Sequence, residues 1–273
     1  VNIYLQRGSV GTAVRALPYS IPSFKELGLP EGIMASLALL PYGLVLLSGP
    51  TGSGKTTTIA SIIEYINIER SSHIICVEDP IEYLYNHKKS TIEQREIGSD
   101  TTSFAFALRH ILRQDPDVVL IGEIRDPETA RAALRIAETG HLVLSTVHSG
   151  EVIQVMSRIV DMFPASEQNE IKVSFSLTLR AVIVQQLLPK KEEGGRVLAT
   201  EMMMITSGIQ NLIREGRFNQ IYSQIQLGKG EGMHTMNDSL FRLYYQGKIE
   251  KEVMFNRSLN LQGLKAMLKR GKT

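Results

Sequence analysis

Gly49-Pro50-Thr51-Gly52-Ser53-Gly54-Lys55-Thr56 places glycines, a lysine and a hydroxyl at the spacing G-x-x-x-x-G-K-[ST]. Glycines in such a loop let successive backbone N–H groups turn inward around phosphate oxygens, at the positive end of the following helix. Lys55 is then set to neutralise the β- and γ-phosphates, and the Thr56 hydroxyl to take a position on Mg²⁺. The segment follows an apolar run and opens a helical stretch, which is the context a phosphate-binding loop needs. The expected nucleotide contacts are therefore Pro50, Thr51, Gly52, Ser53, Gly54, Lys55, Thr56 and Thr57.

Two groups of acids could complete the chemistry. Val118-Val119-Leu120-Ile121-Gly122-Glu123 is an apolar strand ending in a carboxylate, as a Mg²⁺ site opposite the loop requires. In Glu78-Asp79-Pro80-Ile81-Glu82, three carboxylates within five residues repel one another unless cations share the site. A Mg²⁺-nucleotide would supply that charge, and one acid could align and deprotonate the attacking water; spacing alone leaves a solvated acidic turn as the alternative. His141 and His148 lie seven apart around a short apolar run, which sets them on opposite faces of a continuous strand. That offset, the lack of H-E-x-x-H and the single cysteine argue against a zinc site. His148 could instead sense nucleotide, or be a structural histidine. Phosphoryl transfer gains from an arginine supplied by a neighbouring chain. Arg7 and Arg15 lie outside the loop-bearing core, where a neighbour-facing residue could be, although each taken singly reads more readily as a surface arginine.

Elements must position these groups. Strands are expected at Leu44–Leu47, Ile74–Val77, Val118–Ile121, Leu142–Ser145 and Val182–Leu187, alternating with helices at Thr56–Ile68, Ser103–Arg113, Glu128–Thr139, Val152–Val160 and Glu167–Leu179. Asp126-Pro127-Glu128 reads as a helix start, with an acceptor, then Pro, then an acid. Strand runs that are apolar at every position suit a mostly parallel α/β sheet covered on both faces. Ahead of it, Val1–Leu5 and Thr12–Leu17 read as strands around Gly8-Ser9, and Pro18–Pro30 as a linker. After Thr200 strands are expected to stop, leaving helices at 206–215, 217–227, 235–246 and 259–270.

The chain has 273 residues, 43% hydrophobic and 21% charged, which excludes disordered and fibrous classes. Its net charge of +2 does not call for a polyanionic partner. A lone cysteine, Cys76, forbids an intrachain disulfide and suits a reducing, cytoplasmic compartment. The longest apolar run, Leu37–Leu47, is broken by Pro41 and Gly43 and falls short of the ~20 residues of a spanning helix. No charged segment leads into an apolar core at the N-terminus, so no signal peptide is expected. Opening on Val1 rather than Met, the sequence is expected to be a piece of a longer one.

Together these motifs resemble the secretion-type hexameric ATPases, and most closely the branch that retracts type IV pili. The resemblance spans essentially the whole chain. It is carried by Gly49–Thr57, the acid box Glu78–Glu82, Gln94-Arg95-Glu96-Ile97-Gly98, and Asp115-Pro116-Asp117 leading into Gly122-Glu123-Ile124-Arg125-Asp126, a variant Walker B. It continues with Glu138-Thr139-Gly140-His141 through Thr146-Val147-His148, the His box, and Asn211-Leu212-Ile213-Arg214-Glu215. The resemblance implies a RecA-like core over residues 31–200, a helical region over 201–273, a linker at 21–30, and the closing strands of a PAS-like domain at 1–20. It implies Glu82 as the water-activating base, Glu123 at Mg²⁺, His148 as sensor of the γ-phosphate, and Arg15 ahead of Arg7 as the arginine given to a neighbour. It further implies ATP and Mg²⁺ as cofactors, a homo-oligomer (a hexamer), and a platform protein of the inner membrane as partner. The ring would lie at the cytoplasmic face, peripheral to the membrane, with no stable nucleic-acid partner. Pilus-assembly and type II secretion relatives usually carry a four-cysteine zinc insertion that this chain lacks, which favours retraction over extension. Gly208-Ile209-Gln210 departs from the A-I-R that opens the last motif in the retraction branch. An assembly or secretion ATPase, a nucleic-acid-translocating motor and a nucleotide-gated scaffold are the rival readings.

Overall fold

Strands that are apolar at every position need cover on both faces, and the computed structural model, which describes residues 2–14, 20–192 and 194–270, builds such a sheet. A hairpin of β1 (Asn2–Gln6) and β2 (Ser9–Ala13) precedes α1 (Glu31–Ala38). Next come β3 (Gly43–Ser48), α2 (Lys55–Glu69), β4 (His73–Glu78), β5 (Thr91–Glu96), α3 (Phe104–Ile111) and β6 (Val118–Ile121). Then follow α4 (Pro127–Glu138), β7 (Leu142–Val147), α5 (Val152–Asp161), α6 (Gln168–Thr178), β8 (Leu179–Pro189) and β9 (Arg196–Met204). The chain continues as α7 (Ser207–Arg214), α8 (Ile221–Leu227), α9 (Met236–Tyr245), α10 (Lys251–Arg257) and α11 (Leu261–Arg270).

The large sheet has the order β5-β4-β6-β7-β3-β8-β9. Its strands are parallel except β9, which runs antiparallel to β8. Alternation along each strand divides the interior in two. Leu44, Leu46, Val119, Ile121 and Val143 face the core shared with α3 to α6. Val45, Leu47, Val118, Leu120 and Leu144 face the core shared with α1 and α2. Each fully buried aliphatic side chain contributes about 1.5–3 kcal/mol, so the central strands are anchored from both sides. The β–α–β crossovers then deliver every loop after a parallel strand to one edge of the sheet, the carboxyl edge, where α/β proteins place their ligands.

Local signals explain individual elements. Asp126 caps α4, accepting from Thr129 N at 2.7 Å and from the Thr129 hydroxyl at 3.0 Å, with Pro127 at the first helical position. Ser103 caps α3 by accepting from Phe106 N at 3.1 Å. Thr235 and Asp238 form a reciprocal capping box at the start of α9.

Several expectations need correction. The strands do not stop at Thr200: β9 runs on to Met204. β5, β9, α1 and α10 were not foreseen as elements. Within residues 21–30, Phe24 and Leu29 are buried against the α1–α2 side of the sheet, and the Ser61 hydroxyl donates to Pro22 O at 2.6 Å. The second N-terminal strand begins at Ser9 rather than Thr12, and Arg15 to Tyr19, which include the end of its expected span, lie outside the described residues. Among the described residues no helix is long and apolar enough to cross a membrane.

Candidate nucleotide-binding and catalytic site

The carboxyl edge carries a cleft of about 520 Å³. Its floor is the loop between β3 and α2. Gly49 (φ 137°), Gly52 (φ 77°) and Gly54 (φ 90°) all adopt backbone angles that L-residues avoid, and these turn the chain sharply enough for α2 to start at Lys55. Thr51, Gly52, Gly54, Lys55, Thr56 and Thr57 line the cleft. Pro50 and Ser53 support the loop from outside that lining, with Ser53 N donating to Pro50 O at 3.2 Å. Lys55 is 8% exposed, and its ammonium donates to Gly49 O at 2.8 Å and Pro50 O at 3.0 Å. An ammonium has three donors, so one remains for a phosphate oxygen. Burial pulls the Lys55 pKa down, while the charges of Glu123 and Glu82 push it back up.

Facing the loop are the ends of β4, β6 and β7. Glu78, Asp79, Glu82, Glu123, Arg125 and His148 all line the same cleft. Glu123 is 7% exposed; Arg125 pairs with its Oε1, and His148 Nε2 lies 3.3 Å from its Oε2. Cross-links fix this arrangement: the Thr146 hydroxyl donates to Gly122 O at 2.7 Å and Ile124 N to Thr146 O at 2.9 Å. Burial and the nearby Lys55 charge lower the His148 pKa, against the pull of Glu123.

The acid box is held by β5. Gln94 Nε2 donates to Glu78 Oε1 at 3.0 Å and to Tyr83 O at 2.7 Å, its Oε1 accepts from Tyr85 N at 3.1 Å, and Glu96 accepts from Ile81 N at 3.0 Å. The Tyr83 hydroxyl closes the circuit onto Thr57 Oγ1 at 3.0 Å. Burial raises the Glu78 pKa from 4.5 to about 7, helped by the charges of Glu82 and Glu96 and opposed by the Gln94 amide. A carboxyl raised in this way gives stability that is complete below its unfolded pKa and is lost as pH rises through 7. Glu78→Gln should therefore gain on the order of 2 kcal/mol relative to the parent between pH 5 and pH 8. Urea unfolding at several pH values measures this, and parallel profiles for the two proteins would remove Glu78 as the source. Glu201, buried on β9 with a pKa of about 7, supplies a slope common to both.

Other expected residues fall elsewhere. His141 sits at the opposite end of β7, where its Nδ1 lies 3.0 Å from Ile136 O, so it stays outside the cleft. Arg7 is exposed in the β1–β2 turn at φ 50°, and Arg15 lies outside the described residues. Sequence reasoning missed Arg196, Leu187 and Phe104, which line the cleft from β9, β8 and α3. No local motif marks them. A second cavity of about 620 Å³ meets the first at Gly54, Thr57, Leu187 and Arg196, and extends between Lys25–Gly28 and Gln246–Lys248.

A glycine loop between strand and helix, a parallel sheet and acids at its carboxyl edge define a P-loop nucleotide-binding protein of the α/β class. Residues 12–247 match the sequence profile of the type II/IV secretion system proteins, and the chain belongs to that family. It is 44% identical over 264 residues to a twitching motility protein of Neisseria gonorrhoeae, covering 97% of this chain and 70% of that one. Identity to the type IV pilus retraction ATPase PilT of Pseudomonas aeruginosa is 44% over 252 residues, covering 92% and 73%. A crystal structure of the pilus retraction motor PilT with bound ADP matches with a TM-score of 0.91 at 50% identity, covering 97% of this chain and 75% of that chain. The ATPase DotB of Legionella pneumophila matches with a TM-score of 0.81 at 30% identity, covering 92% and 70%.

Proposed function

We propose that this protein is an ATP-hydrolysing motor that powers type IV pilus retraction as a ring of six copies. The observation that carries the reading is one cleft holding Lys55, Glu82, Glu123 and His148. The retraction motors among the relatives support the output of that cleft. In the proposed site, loop amides and Lys55 grip the triphosphate, Glu82 deprotonates the attacking water, and His148 reports on the γ-phosphate. The nucleoside extends into the adjoining cavity.

The donor set fits Mg²⁺. Among the described residues no group of three or more His, Cys, Asp or Glu could hold a metal, so most ligands must be phosphate and water oxygens, which is how Mg²⁺ is usually bound. The Thr56 hydroxyl and Glu123 Oε2, a buried oxygen whose neighbour is His148 Nε2 at 3.3 Å, would be the protein donors. Mg²⁺ held there would supply positive charge to offset the negative charge of the phosphates.

Residues 31–200, with β9 carried on to Met204, form the proposed motor core; the remainder of 201–273 is a helical attachment, 1–20 are closing strands of a preceding domain, and 21–30 are a linker that packs Phe24 and Leu29 onto the core. Arg15 or Arg7 from a neighbouring copy would complete the site in trans. The work would be delivered to a platform protein at the cytoplasmic face of the inner membrane. The full-length protein with an ATP analogue should show about six times the monomer mass in solution and turn over ATP without stimulation by DNA. A strict monomer overturns the ring, and salt-sensitive stimulation by DNA favours a nucleic-acid motor instead.

A further inference from the structure

Ser48 ends β3 immediately before Gly49, is fully buried, and carries no motif significance. Its hydroxyl donates to Ser149 O at 2.8 Å and accepts from Ser149 N at 3.0 Å. Ser149 follows His148. The preceding residue, Val147, is already in register with Ser48 in the β3–β7 ladder. His148 is thus flanked on both sides by attachments to one residue, and its own carbonyl accepts from Arg158 Nη1 at 2.8 Å. On the other side of Ser48, Gly49 and Pro50 offer the two carbonyls that hold the Lys55 ammonium.

We propose that the Ser48 hydroxyl is a positioning latch that ties the phosphate loop to His148. A shift of Gly49 and Pro50 when Lys55 changes partners then reaches the imidazole, and through it Glu123, by way of a single side chain. The inference rests on the ATP-hydrolysis reading above. Satisfying two part-buried backbone groups of Ser149 would need only a stable hydroxyl; a latch requires that its loss act through His148.

The test uses full-length protein carrying Ser48→Ala, His148→Ala and both. Turnover, affinity for a fluorescent ADP analogue and thermal unfolding are read for each. Ser48→Ala should lower kcat by about 10–100-fold, the scale on which small misplacements act, with nucleotide affinity within about twofold of the parent. In the His148→Ala background it should cost almost nothing further, because residues acting as one unit are not additive. A kcat within about threefold of the parent, or losses that multiply in the double variant, would overturn the latch. So would a His148→Ala protein with normal turnover. If Ser48→Ala does not fold, Ser48→Cys keeps the volume with only a weak S–H donor and is held to the same outcomes. A parent protein that binds nucleotide but does not hydrolyse ATP removes the ATPase reading itself; an active parent with an unaffected Ser48→Ala removes only the latch.

Discussion

Glu82→Gln should bind nucleotide as the parent does and lose turnover by about 10²–10⁴-fold, the usual share of a positioned general base. Glu82 lines the cleft from the acid-box loop, across from the phosphate loop, which is compatible with its proposed role as the base. Its charge reaches the Lys55 ammonium, which places both in one electrostatic field. The amide keeps the shape and removes the negative charge and the proton-accepting power. Removing an anion beside a polyanion cannot weaken the binding of that polyanion by charge, so the loss belongs to kcat. Steady-state turnover with a parallel binding titration separates the two. Retention of more than about a tenth of the parent kcat would strip Glu82 of its assigned role.

Gly49→Ala should be the most damaging single change in the loop. At φ 137° an L-residue is strained by about 1–3 kcal/mol before any contact is counted. The added Cβ would also lie 2.3 Å from Gln185 O and 2.7 Å from Ser53 Oγ. The first is backbone of β8 inside the sheet and cannot yield without moving a strand. The loop must instead shift, which disturbs the backbone that lines the cleft at Thr51 and Gly52. Nucleotide affinity is expected to fall by at least about 100-fold, equivalent to some 3 kcal/mol, and Tm by roughly 4–10 °C. Gly52→Ala is the control: it shares a positive φ of 77° but has open space around its Cβ, so it should lose less on both readouts. Equal affinity losses in the two variants would show that conformation alone, not the collision with β8, governs the loop.

Much of this site was legible because its parts sit where pattern and chemistry agree. A glycine loop between an apolar strand and a helix admits few readings, and the Asp126-Pro127 start of α4 is a local signal that needs no tertiary information. The expected β6 and the observed one coincide at Val118–Ile121, since four consecutive buried aliphatics leave no choice of face. The misses have equally physical causes. β5 reads Thr-Ile-Glu-Gln-Arg-Glu, and only Ile92 in it is buried apolar; the rest is spent on polar contacts such as Arg95 to Glu93 and Gln94 to Glu78. β9 hides Glu201, 3% exposed, in the middle of its run, where a carboxylate suggests surface. That carboxylate accepts from Val152 N at 2.9 Å, a partner 49 residues away that no local pattern reveals. Arg196 and Leu187 join the cleft through the β8–β9 register, which a reading that stopped the strands at Thr200 could not supply.

The polarity that concealed β5 has a use of its own. A sheet's outermost strand offers a row of unpaired amides and carbonyls to any other strand it meets, the commonest route to aggregation. Here one border of the sheet is β5, studded with Glu93, Arg95 and Glu96, and the other is β9, against which α9 packs and whose Met202 bridges to His234. Charge deters strangers at one border and a helix covers the other. That protection at both borders keeps separate copies of this chain from pairing strand to strand into fibrils.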